Sequence, residues 1–498
     1  DDELCEYTRK YYCKKYNLPY TPIEKYSDDF RANRFTQYLN TVNTIVNQEI
    51  ENIKKEKFET NSTIDKYFKL LPNDSPLQQK YTKMCQTNNT TEKKALQNQL
   101  RDEIKPGDID VNIMTKLDRD TYNKNGEKQD IIYSDALSGL RGYAQSELTS
   151  GIVFSAGFNR RLYAYMEKFN DFYPDKNGFI KKRVIMKVSD YRSSMTQGKF
   201  LAKKGIWISE HRIESGLNCG GHAFASDGYL LGPIMEEFKE KKERFTDELL
   251  TLCNTVLKEK KHPIFDKKPE TLITVQGGIG THSEQQLLQR FYKVNRTGWA
   301  TPFLLVPEAT TVDPETLTLL QNATSKDLYL SPISPLGVPF NTVKNTQSEH
   351  EKIKKFNNGK PGSPCPKGYL VSNTEFSKKP VCTASIFYQK RKIQALTKDY
   401  SGETLKEKIN RVVQKACLCE DLAAGALIEH QQDNKRPLQP AICPGPNLAF
   451  FSRISTLKEM VDHIYNRFNV NNNTPRPHMF IKELNMYSKK KVCLRISK

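Results

Sequence analysis

The sequence predicts an α/β protein whose centre is a barrel of parallel strands and helices. Three observations lead there. From Pro106 onward, short apolar, β-branched runs alternate with segments of helical period, the pattern of a parallel sheet with helical crossovers. Small and chemically capable residues recur where those runs end, and a (β/α) barrel gathers the C-terminal ends of its strands at one mouth. At 498 residues the chain has room for one large barrel with extensions.

Residues 1 to 105 are rich in Lys, Glu, Gln, Tyr and Asn, with apolar positions at helical spacing through Phe30 to Ile53 and Leu96 to Ile104. Asn73-Asp74-Ser75-Pro76 marks a turn between them. This region is expected to be helical. Asp108 to Met114 opens the strand series, followed by a helix over Ser134 to Leu148 and a second strand over Gly151 to Gly157. A helix over Arg160 to Phe169, a strand over Arg183 to Ser189 and a helix over Met195 to Lys204 continue the alternation. Ile206 to Ile213 has no helical apolar period and reads as a buried strand ending in a loop. Pro233 to Lys258 is a charged helix. Leu272 to Gln276 is a strand running into Gly277-Gly278-Ile279-Gly280-Thr281, then Ser283 to Tyr292 a helix. Trp299 to Val306 is expected to be the last strand.

Lys and Arg outnumber Asp and Glu by 77 to 58, a net charge of +19. The excess is spread through Lys/Asn-rich segments with no nucleic-acid-binding module, so no nucleic-acid partner is expected; anionic cofactors and substrates stay compatible with it. No apolar run approaches a membrane span, and Asp1-Asp2-Glu3-Leu4 is not a secretory signal. Eleven cysteines are an odd number in a long chain, unlike a small disulfide framework. A reducing cytoplasm is the expected location. The sequence has no initiator methionine, so processing or a missing N-terminal part is expected.

Two constellations carry chemistry. After the strand at Ile206 to Ile213 comes Gly216-Leu217-Asn218-Cys219-Gly220-Gly221-His222-Ala223-Phe224. Adjacent glycines let backbone approach a flat or phosphorylated ligand, and histidine moves protons near neutral pH. The loop reads as an active-site loop or as an ordinary turn. The second is Cys365, Cys382, Cys417, Cys419 and Cys443. Together such thiolates suit zinc or an iron–sulfur cluster; their spacings fit no standard motif, so free thiols or a disulfide are the alternatives.

The series Asp110-Val111-Asn112-Ile113-Met114, Phe154-Ser155-Ala156-Gly157, Cys219-Gly220-Gly221-His222, Gln276-Gly277-Gly278-Ile279 and Ala300-Thr301-Pro302-Phe303 resembles, in order and spacing, the flavin barrels of nitronate monooxygenases and their relatives, the flavin-type enoyl-reductases. Ser331 to Phe340, Cys365 with Gly368-Tyr369-Leu370, Cys382-Thr383-Ala384 and Lys415 to Cys419 are similar to the tail of long bacterial members. The resemblance implies a TIM-type (β/α)8 flavin barrel over 106–325. A helical region or insertion over 1–105 precedes it, and a Cys-containing extension over 326–498 packs on it.

It further implies FMN held at its phosphate by Gly277, Gly278, Ile279, Ala300 and Thr301, with Gly220 and Gly221 in the loop beside it. Asn112 and Met114 would face the ring, with Lys187 near its reduced form. His222 would be the acid/base, and Cys219 a substrate contact or redox-active thiol; a packing role is open for each of these side chains. Three departures stand out. The family's first two strands are not evident in residues 1 to 105 and are expected before Asp1. Asn218-Cys219 replaces an acidic residue, which argues against nitroalkane chemistry. Ala300 and Pro302 stand where glycine and arginine are common.

Three functions remain: an FMN-dependent oxidoreductase acting on a small substrate, with nitronate oxidation the named example; a flavin enoyl reductase or fatty-acid/polyketide tailoring enzyme, whose basic surface would dock an acidic acyl carrier protein; and a non-enzymatic barrel subunit of a larger assembly.

Overall fold

The computed structural model describes residues 2–113, 118–155, 157–218, 230–432 and 437–496, with side chains up to Ser488. Six strands, β1 (Asp110–Ile113), β2 (Ser150–Phe154), β3 (Lys182–Val188), β4 (Ile208–Glu214), β5 (Leu272–Gln276) and β6 (Arg296–Gly298), form one sheet. Every neighbouring pair is parallel, and their spatial order is their order in the chain. With right-handed crossovers, an unreversed order puts all connecting helices on one side, so the sheet curls instead of opening into a doubly wound one.

Side chains show the curl. The Asp108 carboxylate, just before β1, accepts from Arg183 on β3 and from Arg296 on β6, each at 3.2 Å. Burial alone would raise this carboxyl; the two guanidinium groups hold it below its usual range. First and last strands therefore meet across the concave face, although among the described residues no backbone ladder joins them. Six parallel strands are described, not the eight of a full barrel. The expected strand over Trp299 to Val306 is a correction: β6 ends at Gly298, and Thr301–Leu305 is a 3-10 turn. Pro302 sits in its first turn, where its missing N–H is tolerated as it is not within a ladder.

Alternation along the strands separates two faces. On the convex face Ile152, Phe154, Val184, Met186, Ile213 and Val275 form the main core with α6 (Asp135–Gln145), α7 (Arg160–Tyr165), α8 (Tyr191–Ala202) and α9 (Leu231–Glu259). The concave face is ionic: Arg212 bridges Asp110 and Glu210, at 3.0 and 2.7 Å, and Lys187 pairs with Glu214 at 2.7 Å.

His211, between Glu210 and Arg212, points to the convex side. Its Nδ1 lies 2.6 Å from the Ser194 hydroxyl of α8, its ring packs against Phe245 of α9 at 4.9 Å, and its Nε2 is buried without a partner. Burial pushes its pKa down to about 3, so it is neutral in the folded protein. As pH falls from about 6.5 toward 3 the unfolded chain binds a proton that the folded chain refuses, and stability is lost. Hydrogen exchange of the β4 amides, corrected for the intrinsic pH dependence, should therefore show this group removing about 2 kcal/mol of protection between pH 7 and pH 5, an effect absent in His211→Leu.

Upstream of the sheet are α1 (Asp2–Lys15) and α2 (Phe30–Lys55), then α3 (Thr63–Lys69), α4 (Pro76–Gln86) and α5 (Thr90–Asp102). The last three close their own core around Ile64, Phe68, Tyr81 and Leu100. Helix α2 lies directly on α6 because position 142 is glycine: a Cβ there would sit 2.5 Å from the Ala32 carbonyl oxygen. The Thr36 hydroxyl donates to the Gly142 carbonyl at 2.9 Å in the same seam.

Past β6 come α11 (Pro314–Asn322) and an antiparallel pair, β7 (Leu328–Ser331) with β8 (Phe340–Val343). Six helices follow: α12 (Gln347–Asn357), α13 (Ile386–Asp399), α14 (Gly402–Val413), α15 (Leu418–Glu429), α16 (Leu457–Ile464) and α17 (Met479–Ile496). Between β5 and β6 lies α10 (His282–Arg290). Among the described residues no helix is long and apolar enough to cross a membrane.

Candidate active site

The C-terminal ends of β4, β5 and β6 are neighbours, and the segments that follow β4 and β5 touch through backbone. Gly277 and Gly278 have φ of 102° and 82°, a region side-chain-bearing residues avoid. A Cβ on Gly277 would lie 2.9 Å from the Asn218 backbone, and one on Gly278 would lie 2.7 Å from Leu217 Cδ1. These glycines thus serve two demands at once, a left-handed turn and a close approach to the loop after β4. Next in sequence, α10 begins at His282 with Thr281 as its cap, the Thr281 hydroxyl accepting from Glu284 N.

The third strand end supplies Thr301, which is buried. Its hydroxyl oxygen accepts from Gly445 N at 3.1 Å. A Cβ on Gly445 would lie 2.7 Å from that oxygen and 2.8 Å from the Leu217 carbonyl. A segment far downstream therefore fits between two of the three loops.

The same downstream region supplies the polar groups that fix the glycine turn. Arg476 donates from Nη2 to the Gly278 carbonyl at 2.7 Å, from Nε to Asn447 Oδ1 at 2.8 Å and from Nη1 to Glu284 Oε1 at 2.7 Å. Glu284, 1% exposed, also accepts from Gly280 N and Met479 N. Asn447 donates to the Ile279 carbonyl at 2.9 Å. The Gly280 carbonyl accepts from Asn471 Nδ2 and His463 Nε2, at 3.1 and 3.0 Å. Burial holds the His463 pKa below the ordinary value, consistent with a neutral ring donating from Nε2. Ser215, just after β4, and Leu231 N, at the start of α9, both donate to Glu483 of α17, whose carboxyl burial pushes up.

Of the residues expected around a cofactor, Gly277, Gly278, Ile279, Ala300 and Thr301 lie on these adjoining loops. Lys187 stands on the concave face, its ammonium paired with Glu214, which also accepts from Gln276 and Asn218. Asn112 is exposed on β1. Met114, Cys219, Gly220, Gly221 and His222 lie outside the described residues. The polar set from Asn447 to Glu483 was not anticipated. Only Pro444-Gly445-Pro446-Asn447, a glycine between prolines, carries a local signal, that of a turn.

A metal centre, one of the readings open for the five C-terminal cysteines, is not shown. Cys365, Cys382, Cys417 and Cys419 do line one crevice, with Pro335, Ser363 and Gly368, and Cys443 packs on the same cluster. Yet among the described residues no group of three or more His, Cys, Asp or Glu side chains is placed to hold a metal ion. The thiols are gathered mainly by apolar packing around Ile333, Leu370, Ala384 and Leu418.

No protein-family model and no curated protein matches the chain. Among solved structures, FabK from Thermotoga maritima aligns at 11% identity over 80% of this chain and 85% of its own, with a TM-score of 0.35. The enoyl reductase domain of MlnA, from the macrolactin biosynthesis cluster of Bacillus amyloliquefaciens, aligns at 14% identity over 82% of this chain and 89% of its own, with a TM-score of 0.39. Scores at this level carry no argument about chemistry.

Proposed function

We propose that the chain is an FMN-dependent oxidoreductase acting on a small substrate at the mouth formed by the ends of β4, β5 and β6. The observation that supports this most is the Gly277-Gly278 turn, which joins a central parallel strand to the N-terminus of α10 beside buried Thr301. Left-handed glycines before a helix N-terminus make a backbone that suits an anion. The charged pair next to it does not oppose one, because Glu284 is neutralised by Arg476. Gly277, Gly278, Ile279, Ala300 and Thr301 would hold the phosphate.

A bound flavin supplies electron transfer to and from substrate carbon. The protein's share is the rest. The ion-paired concave face provides a fixed polar floor, and Arg476 with Asn447 keeps the turn in one conformation. His222 is assigned to hold or release the proton at the substrate carbon. Nitronate oxidation and reduction of an activated double bond are the two reactions in view, and Asn218-Cys219 in place of an acidic residue before Gly220-Gly221-His222 counts against the first.

A visible spectrum of the purified full chain tests the reading. Stoichiometric flavin released on denaturation is the expected result. Bleaching by NADPH with an enoyl thioester as acceptor would select reduction, and oxygen consumption with a nitronate would select oxidation. A folded chain that neither carries flavin nor takes up added FMN would overturn the proposal in favour of a barrel without catalysis. Gly278 substitutions are poor probes on their own, since Leu217 would clash with any Cβ whether or not a cofactor binds.

A further inference from the structure

We propose that Cys365 and Cys382 form a reversible dithiol–disulfide site that hydroperoxides oxidise. The two side chains line one crevice, and each is the largest influence on the other's ionisation. Their segments are paired twice: Asn373 with Val381, past Cys365 and before Cys382, and Ser363 with Ser385, before Cys365 and past Cys382. Ser363 N donates to the Ala384 carbonyl and Ile386 N to the Ser363 carbonyl, both at 2.9 Å, forming a parallel bridge between Ser363 and Ser385. Gly362 permits this approach, since a Cβ there would lie 2.7 Å from Ile386 N. A disulfide, with its S–S separation of about 2 Å, requires segments paired this closely.

The pair is asymmetric in the way such chemistry uses. Cys365 is half-buried and Cys382 buried. The Cys382 thiol, the Gly368 N–H and the charge of Arg119 together outweigh burial and bring Cys365 down to about 6. Arg119 is itself fixed, donating to the Lys367 carbonyl at 2.7 Å and lying over the Tyr369 ring. Cys417 and Cys419 share the crevice, but burial pushes them up to about 11 and about 12. Of these thiols Cys365 is the one pushed toward the thiolate, the nucleophile in thiol chemistry, and it is more exposed than Cys382.

The step balances with a hydroperoxide as oxidant. The Cys365 thiolate attacks the terminal peroxide oxygen; the O–O bond breaks, an alcohol (or water, from hydrogen peroxide) leaves after taking a proton, and Cys365 becomes a sulfenic acid. Cys382 then gives up its proton and attacks the Cys365 sulfur, the S–O bond breaks, and water departs as the S–S bond forms. The two sulfurs lose two electrons and the peroxide gains them. A small dithiol restores both thiols by exchange.

The test uses the reduced full-length protein and hydrogen peroxide. Lys367 and Lys378 put the two cysteines on separate tryptic peptides. Wild type should lose two mass units and yield the peptides of Cys365 and Cys382 joined, both reversed by dithiothreitol. Cys382→Ser should instead accumulate a sulfenic acid on Cys365, captured by a dione reagent, while Cys417→Ser/Cys419→Ser should still form the bond. A disulfide mapped to any other pair, wild type that gains oxygen without losing two mass units, or stoichiometric zinc or iron retained by anaerobically prepared protein would each overturn the assignment. Should a variant fail to fold, the wild-type peptide map alone decides.

Discussion

Replacing Arg476 by alanine should be among the most damaging single changes in this protein. Glu284 would keep its place, 1% exposed, with its charge partner gone, and removing one member of a buried ion pair costs about 3–5 kcal/mol because the other charge is left uncompensated. The Gly278 carbonyl and Asn447 Oδ1 would lose their donors in the same step. In a chain of this length unfolding is not two-state, so the measurement is hydrogen exchange over 276–290 together with the thermal midpoint. The opening equilibrium of that segment should rise by about two to four orders of magnitude. A double variant, Arg476→Met with Glu284→Leu, should recover most of the loss, since an apolar pair of similar volume leaves no buried charge. If Arg476→Ala exchanges like wild type, the C-terminal segment does not hold the turn.

That interaction also explains what could and could not be read in advance. Strands β2, β3 and β5 announce themselves as short apolar runs, and β1 and β4 as apolar residues among polar ones with no helical period. Their helices show apolar period over enough residues to be unambiguous, as in Leu231–Glu259. The failure at Trp299 to Val306 is instructive. Phe303, Leu304, Leu305 and Val306 look like a buried strand, but they pack into a separate core with Leu320, Leu448 and Phe451. Apolar runs of this length satisfy a 3-10 turn as well as a strand, and the choice lay with tertiary partners that begin more than a dozen residues away.

The site divides in the same manner. The glycines at 277 and 278 stand out because only glycine tolerates their φ, a constraint written into residue type. Arg476, Asn447, Asn471 and Glu483 do not stand out, for a lone arginine or asparagine in a polar tail has no period or spacing; its role exists only once the chain brings it back across the mouth. The cysteines form an intermediate case. Their convergence was expected and four of them do line one crevice, but spacing alone did not distinguish a metal from a thiol pair, which depends on how side chains are aimed.

The second large effect concerns His222, whose loop follows the clamped residues Ser215 to Asn218. Those residues are held at Ser215 by Glu483 and at the Asn218 carbonyl by Asn341 Nδ2, 3.1 Å away, which fixes the chain beside the Gly277 turn as far as Asn218. If His222 carries the proton in the proposed reaction, His222→Ala and His222→Asn should retain flavin yet slow substrate-dependent flavin reduction by about 10²–10⁴-fold, the usual loss for a proton-transfer group. The neutral-range limb of the pH–rate profile should vanish with it, because an imidazole titrates there and an amide or methyl does not. Cys219→Ala separates chemistry from packing at the adjacent position: a small effect marks a packed thiol, and a loss comparable to that of His222 marks a group that positions substrate where the resembled family places an acid. Bound flavin with unchanged single-turnover rates in His222→Ala would remove the histidine from the reaction, and the proton would then have to come from another group on the mouth.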